Sequence, residues 1–199
     1  MEASIIANGT VKSGAWLRKN IVGVVIAADG GADTCRKHHI APDYVIGDFD
    51  SVKKSTLASL KGRARIILSP DQKTTDFQKA LALASSLGAK RVFVFGAIGS
   101  ELDHTLANIL ALDTRCTMKD ETHDIVLVEK RHDMSGKPGD LVSVIALAPV
   151  RGLSYSGLQW KISNRSVPAG WIGVRNRFIA KRARITLRKG KVAVIRVKS

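Results

Sequence analysis

Apolar residues in this chain come in short runs, rich in Val and Ile, and the first five run into loops of Gly and polar residues. The runs predict strands over 3–7, 21–28, 44–46, 65–68 and 91–95. Helical spacing fills the gaps between the later ones. Residues 32–39 read as a helix that stops before Pro42, and 52–60 as a second. In 77–87 the positions Phe77, Ala80, Leu81, Ala84 and Leu87 share one face, Thr75 and Gln78 have the spacing of a capping box, and Gly88 ends the segment. Residues 104–112 put Leu106, Ile109 and Leu110 on one apolar side. Strands alternating with helices predict an α/β domain with a mostly parallel sheet.

After about Thr122 the pattern changes. Residues 125–128, 141–147, 152–156, 185–187 and 192–197 read as strands separated by Gly, Pro and polar turns, with no convincing long helix. This predicts a small all-β domain over 123–199, following an α/β domain over 1–122.

Composition narrows the class. A hydrophobic content of 45% and a charged content of 25% are those of a globular protein. The longest apolar run, 21–28, is too short to span a bilayer. The start, Met-Glu-Ala-Ser, lacks the basic and apolar regions of a signal peptide. Cys35 and Cys116 form neither a disulfide framework nor a metal spacing. These features point to the cytoplasm, with no membrane partner. The net charge of +15 is uneven: residues 151–199 hold 13 of the 32 Lys and Arg and none of the 17 Asp and Glu. Such asymmetry suits nucleic acid, a polyphosphate ligand or a merely soluble basic surface, and charge alone does not choose.

Candidate chemistry gathers just past the strands, where ligands bind in open α/β sheets. There lie Asp29-Gly30-Gly31, Gly47-Asp48-Phe49-Asp50-Ser51, Asp71-Gln72 with Thr75-Asp76, and Gly96 to His104. Asp48 and Asp50, two apart in extended chain, point the same way. So close a pair of like charges calls for a cation, and Mg2+ with phosphates fits. Gly30 and Gly31 permit a close backbone approach to a ligand and lead into a helix start that favours anions. Each element has a plainer reading. Asp29 would cap a turn, Ser51 and Thr75 would cap helices, Asp76 would sit favourably in a first turn, and Asp103-His104 would be an N-cap with a satisfied histidine. Gln72 and Lys73 have no evident structural duty.

Taken in order, Ala28-Asp29-Gly30-Gly31-Ala32, Gly47-Asp48-Phe49-Asp50-Ser51, Asp71-Gln72-x-x-Thr75-Asp76-Phe77 and Leu102-Asp103-His104-Thr105-Leu106-Ala107-Asn108 resemble the thiamine pyrophosphokinase (thiamine diphosphokinase) family. Gly157-Leu158-Gln159-Trp160 is similar to that family's Gly-Leu-x-Trp segment. The resemblance implies an N-terminal nucleotide-binding domain, a C-terminal β-sandwich, and a homodimer with thiamine bound between subunits. It implies Mg2+-dependent transfer of pyrophosphate from ATP to the thiamine hydroxyl, releasing AMP. Asp48, Asp50 and Asp76 would hold the metal and phosphates, and with Asp29 form the catalytic set. Gly30, Gly31, Ser51, Lys73, Asp103 and His104 would join Asp48 and Asp50 around ATP. Asp29, Gln72, Thr75, Trp160 and Asn176 would line the thiamine. Two departures stand out: Glu101 occupies the place of the family's usual Arg before Asp-His, and Arg175 that of the Ser before Asn176.

Two other functions fit parts of the chain. A diphosphokinase acting on another heterocyclic alcohol, such as a pterin, would share the ATP motifs. A nucleic-acid-binding module would use the basic C-terminal domain. The second is disfavoured by a shortage of stacking residues, because 184–198 contains no aromatic at all.

Overall fold

The computed structural model describes residues 1–99 and 101–198. The chain forms two compact units, Met1–Glu121 and Thr122–Ser199.

The first unit runs β1 (Glu2–Ile6), α1 (Gly14–Asn20), β2 (Val24–Ala28), α2 (Gly31–Lys37), β3 (Tyr44–Gly47), α3 (Lys54–Leu60), β4 (Arg65–Leu68), α4 (Asp76–Ser86), β5 (Arg91–Phe95), α5 (Leu102–Ala111) and β6 (Cys116–Lys119). Its strands stand in the order β6-β5-β1-β2-β3-β4, and each neighbouring pair is parallel. The chain steps outward from β1 to β4, and α4 then brings it back so that β5 pairs with the other side of β1. The order therefore reverses beside β1, where the ends of parallel strands open a crevice. Ile6, Leu17, Ala27, Val45 and Phe95 are fully buried in one core cluster. The Trp16 ring meets Phe95 edge-on, with centroids 5.7 Å apart.

Several elements differ from expectation. Helix α1 has no sequence counterpart above, because its seven residues carry only Trp16 and Leu17 as large apolar groups. Ser13 caps it, accepting the Trp16 N–H at 3.2 Å. Strand β2 starts at Val24 rather than residue 21, because Ile21 is the C-cap of α1. Gly23 then turns at φ +65, and a Cβ there would meet the Glu2 carbonyl oxygen at 2.0 Å. Strand β6 is a four-residue Cys-Thr-Met-Lys stretch with little β signature. Leu106 and Leu110, expected on the apolar side of α5, are exposed, as is Leu102.

The second unit is all-β: β7 (His123–Val128), β8 (Arg131–Ser135), β9 (Leu141–Ala146), β10 (Val150–Ser156), β11 (Arg165–Val167), β12 (Ile172–Arg177), β13 (Arg182–Thr186) and β14 (Val192–Val197). Antiparallel strands β7-β14-β9-β12 form one sheet and β11-β10-β13-β8 another. Val142, Val144, Leu153, Leu158, Phe178, Ile185 and Val192 lie in their shared core. Strand β9 alternates strictly between buried and half-buried positions, as its sequence does between core and outer face. Strands β8, β11 and β12 were missed because each contributes few apolar side chains. In β12 the register slips between Gly173 and Asn176, and Arg175 sits at φ +57 in the bulge. The fold class read from the sequence, α/β followed by all-β, is the one observed. No described helix is long and apolar enough to cross a membrane.

Candidate active site

Beyond the carboxyl ends of β1, β2, β3 and β5 the first unit holds a cavity of about 660 Å³. Its acidic wall is built by backbone geometry. At the end of β2 the chain turns through Asp29 at φ +41, and after β3 through Phe49 at φ +66. Both are sparsely populated conformations for non-glycine residues, of the kind that clusters at functional sites. Gly47 ends β3 between two acids: a Cβ there would stand 2.8 Å from the Asp29 Cβ and 3.2 Å from the Asp76 Oδ1. Only glycine lets both carboxylates come this close to the strand end.

Oxygens of Asp29, Asp48 and Asp50 lie within 4.8 Å of one another. Asp29 is 2% exposed. Its Oδ2 accepts the Ser51 N–H at 3.1 Å, whereas its Oδ1 is buried without a hydrogen-bond partner. Burial pushes the Asp29 carboxyl above its ordinary pKa, with nearby Asp76 and Asp50 adding to the rise and the Ser51 N–H opposing it. Asp48 is drawn the other way, chiefly because Gln72 Nε2 donates to its Oδ2 at 2.8 Å. Ser51 Oγ donates to Asp50 Oδ1 at 2.9 Å. An orphaned buried oxygen beside two carboxylates is a donor set for a hard divalent cation. Mg2+ therefore fits Asp29, Asp48 and Asp50.

Asp76, also expected among the metal ligands, accepts a hydrogen bond at its Oδ1 from Lys79 Nζ at 2.9 Å. Both residues line the same cavity, with Gln72, Lys73, Thr75 and His104. Thr75 completes its capping box, accepting the Gln78 N–H at 3.2 Å while Gln78 Oε1 accepts the Thr75 N–H at 2.9 Å. Ser51 caps no helix, because α3 begins three residues later behind Lys53.

Other expected residues lie outside the cavity lining. A Cβ on Gly30 would meet the Asn8 side chain at 2.3 Å, and one on Gly31 the Ile6 carbonyl oxygen at 2.0 Å. Both glycines face the protein's own chain, at the end of β1 and just beyond it. Asp103 is not the N-cap of α5; Glu101 is. The Asp103 Oδ1 accepts the adjacent His104 N–H. Glu101 and His104 themselves form an exposed contact at 3.8 Å. Ser100, between Gly99 and Glu101 of the motif, lies outside the described residues. In the second unit Trp160 is 55% exposed and Asn176 4%, and the Asn176 side chain bonds both backbone groups of Trp160. Cys35 and Cys116 are buried, which pushes each thiol up to about 12 and makes both poor nucleophiles.

Sequence reasoning overlooked Lys79, and gave no role to Gly47 or to Asn108, whose Nδ2 donates to the Ala97 carbonyl at 3.1 Å. A lysine three residues after Asp76, one helical turn away, was the available signal for the first.

Residues 18–127 match the family model described as thiamin pyrophosphokinase, catalytic domain. A rice protein named thiamine pyrophosphokinase 3 is 27% identical, over 74% of this chain and 67% of that one. A second rice protein, thiamine pyrophosphokinase 1, is also 27% identical, and the match spans 56% of its length. Among solved structures, thiamine pyrophosphokinase from Bacillus subtilis superposes over the full length of both chains with a TM-score of 0.88 at 22% identity. A family member from Enterococcus faecalis does so with a TM-score of 0.84 at 21%.

Proposed function

This chain belongs to the thiamin pyrophosphokinase family and is a thiamine diphosphokinase; we propose that it works by Mg2+-dependent transfer of the terminal pyrophosphoryl group of ATP to the thiamine hydroxyl. The hydroxyl oxygen attacks the β-phosphorus. The bond from that phosphorus to the bridging oxygen breaks, and AMP leaves with the electron pair. The hydroxyl proton passes to a carboxylate of the cluster. The observation that carries this reading is the meeting of Asp29, Asp48 and Asp50, with the Asp29 Oδ1 buried and unpartnered.

Transfer of this kind depends on positioning and charge neutralisation more than on covalent catalysis. When bound by Asp29, Asp48 and Asp50, Mg2+ would neutralise polyphosphate charge. Ser51 and Gln72 hold those carboxylates in place, and the positive φ at Asp29 and Phe49 turns the two loops toward one another. Trp160 supplies an exposed indole face for the thiazolium cation. A homodimer is part of the same reading, since a β unit of fewer than about 80 residues has a marginal core alone and α5 leaves Leu102, Leu106 and Leu110 exposed. So is a cytoplasmic location.

The test is to supply ATP labelled at the γ-phosphate, with thiamine and Mg2+, and follow the label. It should appear in thiamine diphosphate, with unlabelled AMP as the other product. Label in inorganic phosphate alone would refute the reading.

A further inference from the structure

The acidic wall of the cavity poses a problem for any polyphosphate. Asp29, Asp48, Asp50 and Asp76 all line it, and a bound cation offsets only part of their charge. Of the basic side chains in the lining, Lys73 is exposed and His104 is largely so. Lys79 is different. Its side chain is 6% exposed, yet it stands among the carboxylates.

Burying an ammonium disfavours its charged form. Here the Asp76 carboxylate, 2.9 Å from Nζ, offsets that cost by direct pairing. The cation is retained. An ammonium has three N–H donors, and among the described residues only Asp76 takes one. Two donors on a buried cation are left facing a cavity that needs positive charge. Helix α4 fixes their place, because Lys79 lies one turn from Asp76 and the capping box pins that first turn.

We infer that Lys79 is the phosphate-binding cation of this cavity, its free N–H donors taking oxygens of the polyphosphate while Asp76 holds the ammonium in position. The inference rests on the proposed reaction for the identity of the polyphosphate, but it concerns a separate contact. It gives Asp76 Oδ1 the task of anchoring Lys79.

The experiment measures two affinities by titration calorimetry, Mg2+ for the protein and inorganic pyrophosphate for the Mg2+-loaded protein, in wild type and Lys79→Gln. Loss of a charge-assisted hydrogen bond predicts pyrophosphate binding weakened by roughly 10- to 100-fold. Removing a positive charge beside carboxylates predicts Mg2+ binding unchanged or tighter. If Lys79 only props Asp76, both affinities fall together, which overturns the inference. Pyrophosphate binding within twofold of wild type overturns it equally. Should Lys79→Gln fail to fold, Asp76→Asn with Lys79→Gln removes both charges of the pair and is compared with Asp76→Asn alone. Wild-type turnover of thiamine, assayed in parallel, separates the two claims. Turnover with unaltered pyrophosphate binding in the variant sinks the Lys79 role alone. Weakened binding without wild-type turnover leaves a phosphate site and sinks the thiamine reaction.

Discussion

Asn176 clamps the backbone of Trp160 from both sides: its Oδ1 accepts the Trp160 N–H at 3.0 Å, and its Nδ2 donates to the Trp160 carbonyl at 2.8 Å. Two residues expected to touch thiamine are thus partners of each other. The buried amide sets the backbone and leaves the indole exposed. Trp160→Ala should therefore leave the melting temperature within a degree or two while raising the thiamine KM roughly 2- to 30-fold, the worth of a cation–π contact. Asn176→Ala orphans two backbone groups and should cost about 1–3 kcal/mol of stability. Both KM values and thermal melts of the two variants check this. A large stability loss in Trp160→Ala with an unchanged thiamine KM would contradict it.

The buried Asp29 predicts an inverted pH effect in metal-free protein. Its folded pKa lies above 3.8, so its stabilising contribution is full below that value. The contribution is lost as pH rises through the raised pKa. Asp29→Asn has no such proton to lose. In EDTA, the variant should gain stability relative to wild type as pH rises through this window, and Mg2+ should stabilise wild type but not the variant. Parallel pH profiles of the two melting temperatures would show that Asp29 is not the strained member of the cluster.

Thr75 separates capping from binding. Its hydroxyl is already occupied by the Gln78 N–H. Thr75→Ser keeps that oxygen and should match wild type in stability, whereas Thr75→Ala should lose about 1 kcal/mol. If the thiamine KM moves only with Thr75→Ala, and in proportion to lost folded protein, the residue is a cap alone.

How much of this was legible in the sequence depends on where the signal was local. The helix α4, its Thr75–Gln78 cap and its stop at Gly88 were readable because period, cap and terminator all sit within one stretch. The carboxylates were readable because Asp48 and Asp50 are two apart on one strand end. The close approach of Asp29 to that pair was not, because Asp29 reaches it only through the φ of +41 at its own backbone and the space that Gly47 leaves. Gly30 and Gly31 were legible only in part for the same reason: a glycine announces a close approach but not what approaches. Helix α5 was legible as a helix but not in its exposure, since an amphipathic period says which residues share a face and not whether that face is covered.

The dimer predicts a measurable change on one helix. Light scattering at micromolar concentration should give twice the chain mass for wild type. Leu106→Glu, which places a charge amid Leu102 and Leu110, should shift it toward the monomer if α5 is covered. A wild-type monomer with full activity would remove the dimer from the account.

The central claim is that the Asp29, Asp48 and Asp50 cluster drives pyrophosphoryl transfer to thiamine, and the direct measurement is product analysis of wild type and Asp50→Asn side by side. With ATP, thiamine and Mg2+, wild type should form AMP and thiamine diphosphate in equal amounts. Asp50→Asn, in which one of three mutually repelling charges is removed and the fold retained, should form almost none, and wild type in EDTA should match it. ADP with thiamine monophosphate, or near-normal turnover by a folded Asp50→Asn, would contradict the account.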